Sequence, residues 1–279
     1  MGSGGRAVHL AAGMLSDVPD PVERIRIAAA AGFDGLGLRP EDDRPGAGDP
    51  EAVAAALAEH GLRLLDVEVV ILTPDDRHAE ANRRAVATAR ALRPAHLVVV
   101  SFDTDHARTR AAITGIAREL MGTDVVPVLE FLPFSAIRTL AEAAAVATEV
   151  RGDGGGAVGV LVDVLHLVRS GGSPTDLATA GDVALPYLQV CDAPATATRG
   201  AARGDLFREA TGGRLLPGAG GLPIRATVDA MPAGAAVSVE VLSTALMTDL
   251  GPAERARAAF DATCAMLSGR DGGEGSPAA

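Results

Sequence analysis

Four apolar runs in the second half of the chain each reach an oxygen-bearing side chain: "VVPVLE" ends on Glu130, "VGVLVD" on Asp163, "LPYLQ" on Gln189 and "AVSVE" on Glu240. Taken singly, each acid reads equally well as a helix N-cap or a loop salt bridge. Taken together, they put three carboxylates and one amide carbonyl near the ends of successive buried segments. Carboxylates facing a shared space of low dielectric repel one another, and leaving them ionised and unpaired is costly. A divalent cation resolves the conflict, with Glu130, Asp163, Gln189 and Glu240 as its ligands. The set is all oxygen, which ranks Mg²⁺ or Mn²⁺ ahead of Zn²⁺.

Around these ligands stand further candidates. His166 follows Asp163 by three residues, on the same side of the presumed mouth, and reads as a support for the metal or a contact to substrate. Alone it would read as a structural histidine, as His9 does in the first apolar run. Arg214, Asp192 and Glu68 are the candidate substrate contacts. Arg214, opening "RLLPGAGG", holds a substrate carboxylate or hydroxyl, or else closes a loop salt bridge. Glu68, inside "LLDVEVVIL", either lines the mouth or pairs with an arginine. The glycines at 218, 220 and 221 shape a turn; no lysine accompanies them, so they do not read as a phosphate cradle.

The elements that must position these residues are legible as short apolar runs alternating with longer Ala-rich segments. The candidate strands are "VHLAAGM" (8–14), "GLGLR" (35–39), "LRLLDVEVVIL" (62–72), "HLVVVSF" (96–102), "VVPVLEFL" (125–132), "VGVLVDV" (158–164), "LPYLQVC" (185–191) and "AVSVEVL" (236–242). They mostly lack polar alternation, as strands buried on both faces do. Helices are expected over 20–31, 49–60, 135–150 and about 252–268, with Asp49 as an N-cap and Pro50 at the first helical position. Eight strands, most followed by a helix, predict a single (β/α)8 TIM barrel, with ligands gathered at the C-terminal rim of the strands. An open doubly wound sheet is the competing architecture; no GxGxxG follows the first strand to support a dinucleotide version. One domain is expected over 1–268, with a disordered tail over 269–279, and the long segment 193–221 reads as a loop that forms a lid or wall.

Composition narrows the partners. The 279 residues carry a formal net charge of −11 and are 48% hydrophobic. An acidic chain with scattered arginines disfavours nonspecific nucleic-acid or anionic-membrane binding. The two cysteines, Cys191 and Cys264, show no close spacing, so a reducing cytoplasm is expected. The N-terminal residues do not read as a signal peptide, and no apolar run approaches the roughly 20 residues of a membrane span. The expected partner is a small molecule; a homo-oligomer is compatible with the sequence.

Five stretches, "LEFLPFSAIRTLAEA", "VGVLVDVLHLVRSGG", "LQVCDAP", "RLLPGAGGLP" and "VSVEVLS", resemble successive strand-end motifs of the xylose-isomerase-like TIM barrel superfamily. That superfamily includes sugar (phosphate) isomerases and epimerases, hydroxypyruvate isomerase, 3-dehydroshikimate dehydratase and endonuclease IV. The resemblance implies Glu130, Asp163, Gln189 and Glu240 as metal ligands and His166 as the histidine that meets substrate. It also implies proton transfer next to a carbonyl: Glu130 or Glu240 removes the α-proton of a small polyol or keto compound, the other returns it, and the metal stabilises the enediolate. The outcome is an isomerase or epimerase. Gln189 stands where sugar epimerases usually carry histidine, which favours instead a dehydratase that expels a β-hydroxyl. Ala219 and Thr211 depart from the family's "PGEG" or "PGQG" and its upstream arginine. With the scarcity of aromatics, these departures motivate a third reading, a catalytically silent binding barrel. Endonuclease IV, with its trinuclear zinc site and basic groove, does not fit an acidic chain with six histidines.

Overall fold

The computed structural model describes residues 6–40, 49–195 and 202–269. Among them, eight strands close into a barrel in sequence order: β1 (Val8–Leu10), β2 (Gly35–Leu38), β3 (Arg63–Leu72), β4 (His96–Ser101), β5 (Val126–Glu130), β6 (Gly159–Asp163), β7 (Tyr187–Val190) and β8 (Ala236–Val239). Every neighbouring pair is parallel, and β8 returns to β1 with Ser238 opposite His9. The expected single (β/α)8 barrel is therefore present. The strands are shorter than the apolar runs that announced them, because flanking residues turn into the loops that carry the site.

The helices are α1 (Pro21–Ala31), α2 (Pro50–His60), α3 (Ala79–Leu92), α4 (His106–Glu119), α5 (Leu140–Gly152), α6 (Val164–Arg169), α7 (Arg203–Gly212), α8 (Ile224–Ala230), α9 (Thr244–Asp249) and α10 (Pro252–Leu267). Local chemistry fixes their ends. Asp20 and Asp49 cap α1 and α2 through Val22 and Glu51 N–H, each ahead of a proline, and Gly32 and Gly61 terminate them in the left-handed region. Helix α5 does not begin at Ser135 as expected. Thr139 and Glu142 form a capping box there, while the Ser135 hydroxyl donates to the carbonyls of Leu132 and Ile137 and holds a turn. The segment 193–221, expected as one loop, contains α7; residues 196–201 lie outside the described residues, as does the 269–279 tail after Gly269.

Two cores result. The larger lies between barrel and helices and includes Ile25, Val53, Ile113, Ile137, Leu167 and Val239. The smaller fills the barrel with Leu65, Val98, Val128, Leu161 and Tyr187, and it is the floor beneath the site. Strand β2 carries glycine where that interior is tightest. A Cβ on Gly37 would lie 2.1 Å from Asp66 Oδ1, and one on Gly35 would lie 2.2 Å from the carbonyl of Arg63. Gly37→Ala is expected to destabilise the protein by about 1–3 kcal/mol, the ordinary cost of overpacking, read as a lowered urea midpoint at unchanged slope.

Candidate metal centre

The predicted residues sit at the C-terminal ends of their strands: Glu130 and Asp163 are the last residues of β5 and β6, Gln189 is the third of four in β7, and Glu240 follows β8 directly. Asp163 closes β6 and caps α6, its Oδ1 accepting from the N–H groups of Leu165 at 2.7 Å and His166 at 3.2 Å. The N-cap reading of this acid is thus the one these bonds show. Because α6 starts there, His166 falls back over the mouth. Its Nε2 lies 3.7 Å from Glu130 Oε1, and ligand atoms of Glu130, Asp163 and His166 all lie within 4.8 Å of one another. The cluster therefore includes an imidazole that the all-oxygen expectation left out. Phe134 packs edge-on against His166 at 5.6 Å and walls this side.

Arg214 borders the same cluster, its Nη2 lying 3.5 Å from His166 Nε2. Residues 213–215 bridge the segments that follow β7 and β8: Leu215 exchanges backbone bonds with Asp192, and Arg214 N–H donates to the carbonyl of Leu242. This strip delivers a buried guanidinium between two carboxylates. Arg214 reaches Asp163 Oδ2 at 2.6 Å and Glu240 Oε2 at 3.1 Å, while its Nε donates to the carbonyl of Ala210. Of the two roles expected for Arg214, the internal salt bridge is the one formed. Asp192 is likewise committed: its two oxygens accept from the N–H groups of Ala193, Gly218, Gly220 and Leu222. The carboxylate staples the "PGAGG" turn and has no free lone pair to offer a substrate.

Glu68 both lines the mouth and pairs with an arginine. Its Oε2 accepts from Arg39 at 3.0 Å and its Oε1 from Gln189 Nε2 at 3.3 Å. Sequence reasoning passed over Arg39, Asp66 and Tyr187. Arg39 follows β2; Tyr187 sits two residues before Gln189 on β7 and donates to Asp66 Oδ2 at 2.7 Å. His9 is buried beside Gly35, as a packing histidine should be, and burial holds its imidazole down at about 4.

Five buried carboxylates, Asp66, Glu68, Glu130, Asp163 and Glu240, thus face two guanidinium groups. The surplus of negative charge is visible in the proton affinities. Burial, then repulsion from Glu240, Asp163 and Glu68, pushes Glu130 well above the usual carboxylate range. Glu240 and Glu68 are both pushed up to about 7, chiefly by burial, against the pull of Arg214 and Arg39 respectively. Burial also raises Asp163, but Arg214 and then His166 outweigh it, and Asp163 ends below the ordinary value. His166 is depressed to about 4 by burial, so it is neutral and able to ligate or accept at neutral pH.

A divalent cation fits this chemistry. The Gln189 amide oxygen is buried with no partner, an orphan that a cation would satisfy. Asp163 Oδ2 keeps a lone pair beyond its bond to Arg214. Gly13 leaves Glu240 room, since a Cβ there would lie 3.3 Å from Oε1.

Comparison with known proteins agrees with this architecture. The chain belongs to the xylose isomerase-like TIM barrel family, whose model matches residues 25–265. Among solved structures it is similar to the IolI protein with a bound zinc atom, at 17% identity and a TM-score of 0.78 over 94% of this chain and 98% of that one. It is similar to D-allulose 3-epimerase from Methylomonas sp. in complex with D-allulose, at 17% identity and a TM-score of 0.68 over 92% and 96%. A xylose isomerase-like TIM barrel/4-hydroxyphenylpyruvate dioxygenase fusion protein matches 94% of this chain at a TM-score of 0.77 and 17% identity, the match spanning 43% of the fusion. No curated protein matches the chain. No helix among the described residues is long and apolar enough to cross a membrane.

Proposed function

We propose that the protein is a divalent-metal-dependent isomerase or epimerase acting on a small sugar or hydroxy-keto compound. The observation that carries this reading is the convergence of Glu130, Asp163 and His166 within 4.8 Å, beside a Gln189 oxygen that nothing else satisfies. Glu130, Asp163, Gln189 and Glu240 hold the ion, with His166 in reach. When bound, the ion supplies positive charge to the carbonyl and neighbouring hydroxyl oxygens of the substrate.

The chain's own residues do the rest. Glu130 lies against His166 and Glu240 against Arg214. One carboxylate takes the proton from the carbon next to the carbonyl, and the other returns a proton to the opposite face or the neighbouring carbon. His166, neutral and held edge-on by Phe134, donates to or accepts from a substrate oxygen. Arg214 keeps Asp163 and Glu240 aligned, and the apolar floor of Val128, Leu161 and Tyr187 keeps bulk water from beneath. Mg²⁺ and Mn²⁺ lead on the carboxylate content; His166 and the zinc bound by the IolI protein place Zn²⁺ in the same trial.

The test is metal-stripped protein reloaded separately with Mg²⁺, Mn²⁺ and Zn²⁺, then given a panel of ketoses in deuterated water. Exchange of hydrogen next to the carbonyl, restored by one metal and abolished in Glu240→Gln, is the expected result. Protein that takes up no stoichiometric metal and exchanges nothing overturns the proposal in favour of a silent barrel. Gln189 in place of histidine favours one further reading, a dehydratase using the same carboxylates. Conversion of 3-dehydroshikimate to an aromatic product, followed by ultraviolet absorbance, identifies it.

A further inference from the structure

The strand-seven donor is an amide, and an amide has two unlike ends. Only the carbonyl end ligates a cation; the NH₂ end repels one. Something must therefore fix which end of Gln189 is offered to a cation. Its Nε2 donates to Glu68 Oε1 at 3.3 Å, leaving Oε1 buried and unpartnered. An ionised carboxylate, the form the Arg39 guanidinium favours, only accepts, so reversing the amide against it would set two acceptor oxygens against each other. Glu68 is itself oriented, because its second oxygen accepts from Arg39 at 3.0 Å. Arg39 sits at the rim with its side chain 46% exposed, while that of Glu68 is only 4% exposed.

We propose that Arg39 and Glu68 are positioning residues whose hydrogen bonds turn the Gln189 amide oxygen toward the divalent cation. The inference rests on the metal-dependent reading above and assigns Glu68 a role other than substrate contact. It makes a prediction opposite in sign to plain electrostatics. Arg39 is a cation within electrostatic reach of Glu68, Glu240 and Glu130. By Coulomb's law alone its removal tightens cation binding; by the positioning chain its removal weakens it.

Calorimetric titration of metal-stripped protein with Mn²⁺ separates the two. Arg39→Leu is expected to weaken Mn²⁺ binding by about tenfold, the usual loss when a ligand's supporting hydrogen bond is removed. In the Gln189→Ala background the same substitution is expected to leave binding unchanged or tighter, since no amide remains to orient. Glu68→Gln should follow Arg39→Leu; if it does not fold, Arg39→Leu at the half-exposed rim decides alone. Unchanged or tighter binding in Arg39→Leu overturns the proposal, as does a tenfold loss that persists without Gln189. Failure of the metal reading looks different: the wild-type protein then titrates no Mn²⁺ at all, and both proposals fall together.

Discussion

Glu130→Gln is expected to make the metal-free protein more stable than wild type at neutral pH, and to cost the metal-loaded protein about 10²–10⁴-fold in hydrogen exchange. The two effects share one cause. Glu130 is a buried carboxylate whose nearest charges are mostly of its own sign, Glu240, Asp163 and Glu68. Its ionised form is poorly solvated and repelled, which makes it a strong base and a burden on the fold. Glutamine keeps the shape, removes the charge, and cannot take a proton, so the contribution of general-base catalysis disappears. The pH dependence carries the sign. A carboxylate whose folded-state proton affinity is raised contributes stability below its unfolded value, and that contribution is lost as pH rises toward the folded value. Metal-free wild type should therefore lose stability relative to Glu130→Gln as pH climbs above the ordinary glutamate value of 4.5 toward the raised folded value of Glu130. Urea denaturation of both proteins at stepped pH measures the difference. A gap that is flat, or that narrows with rising pH, contradicts the account.

The same charge surplus explains what was legible in the sequence. Strand ends were readable because an apolar run that stops on an acid is a local pattern, and Glu130, Asp163 and Glu240 each display it. The number of strands and their closure followed from repetition of that pattern. Arg214's pairing was not readable. It depends on a three-residue strip bridging the segments that follow β7 and β8, held by bonds to Asp192 and Leu242, and such a strip has no apolar signature. Helix α7 was hidden for a related reason, since "RGDLFREATG" is too polar and Gly-rich to show a buried face, and only Ala210 in it is fully buried. Asp66 carried a signal that went unused. It precedes Glu68 by two residues on the same strand, and "GLGL" on β2 places glycines with the same period, as a sheet does when something bulky must approach. His166 was found, but its ligand-range contact with Glu130 was not, because it depends on where α6 begins.

Removing Arg214 is expected to have the largest effect on folding. In Arg214→Leu, Asp163 and Glu240 lose the guanidinium they share, and both remain buried. Deleting one partner of a buried ion pair typically costs about 3–5 kcal/mol, because the surviving charge has neither water nor counter-ion. The loss should appear as a lower urea midpoint in metal-free protein. Arg214→Lys should fall between, since an ammonium is a point charge and cannot bridge two carboxylates in a fixed plane. Mn²⁺ then discriminates between a purely structural arginine and one built around a cation site. Any ligand that binds only the folded state stabilises it by mass action, about 2.7 kcal/mol at 100 times its dissociation constant. In Arg214→Leu the cation also neutralises two orphaned carboxylates, so the rise in midpoint on adding Mn²⁺ should exceed that of wild type. Equal rises in the two proteins would mean that the ion and the guanidinium act on different charges, and that Asp163 and Glu240 are structural partners of Arg214 alone.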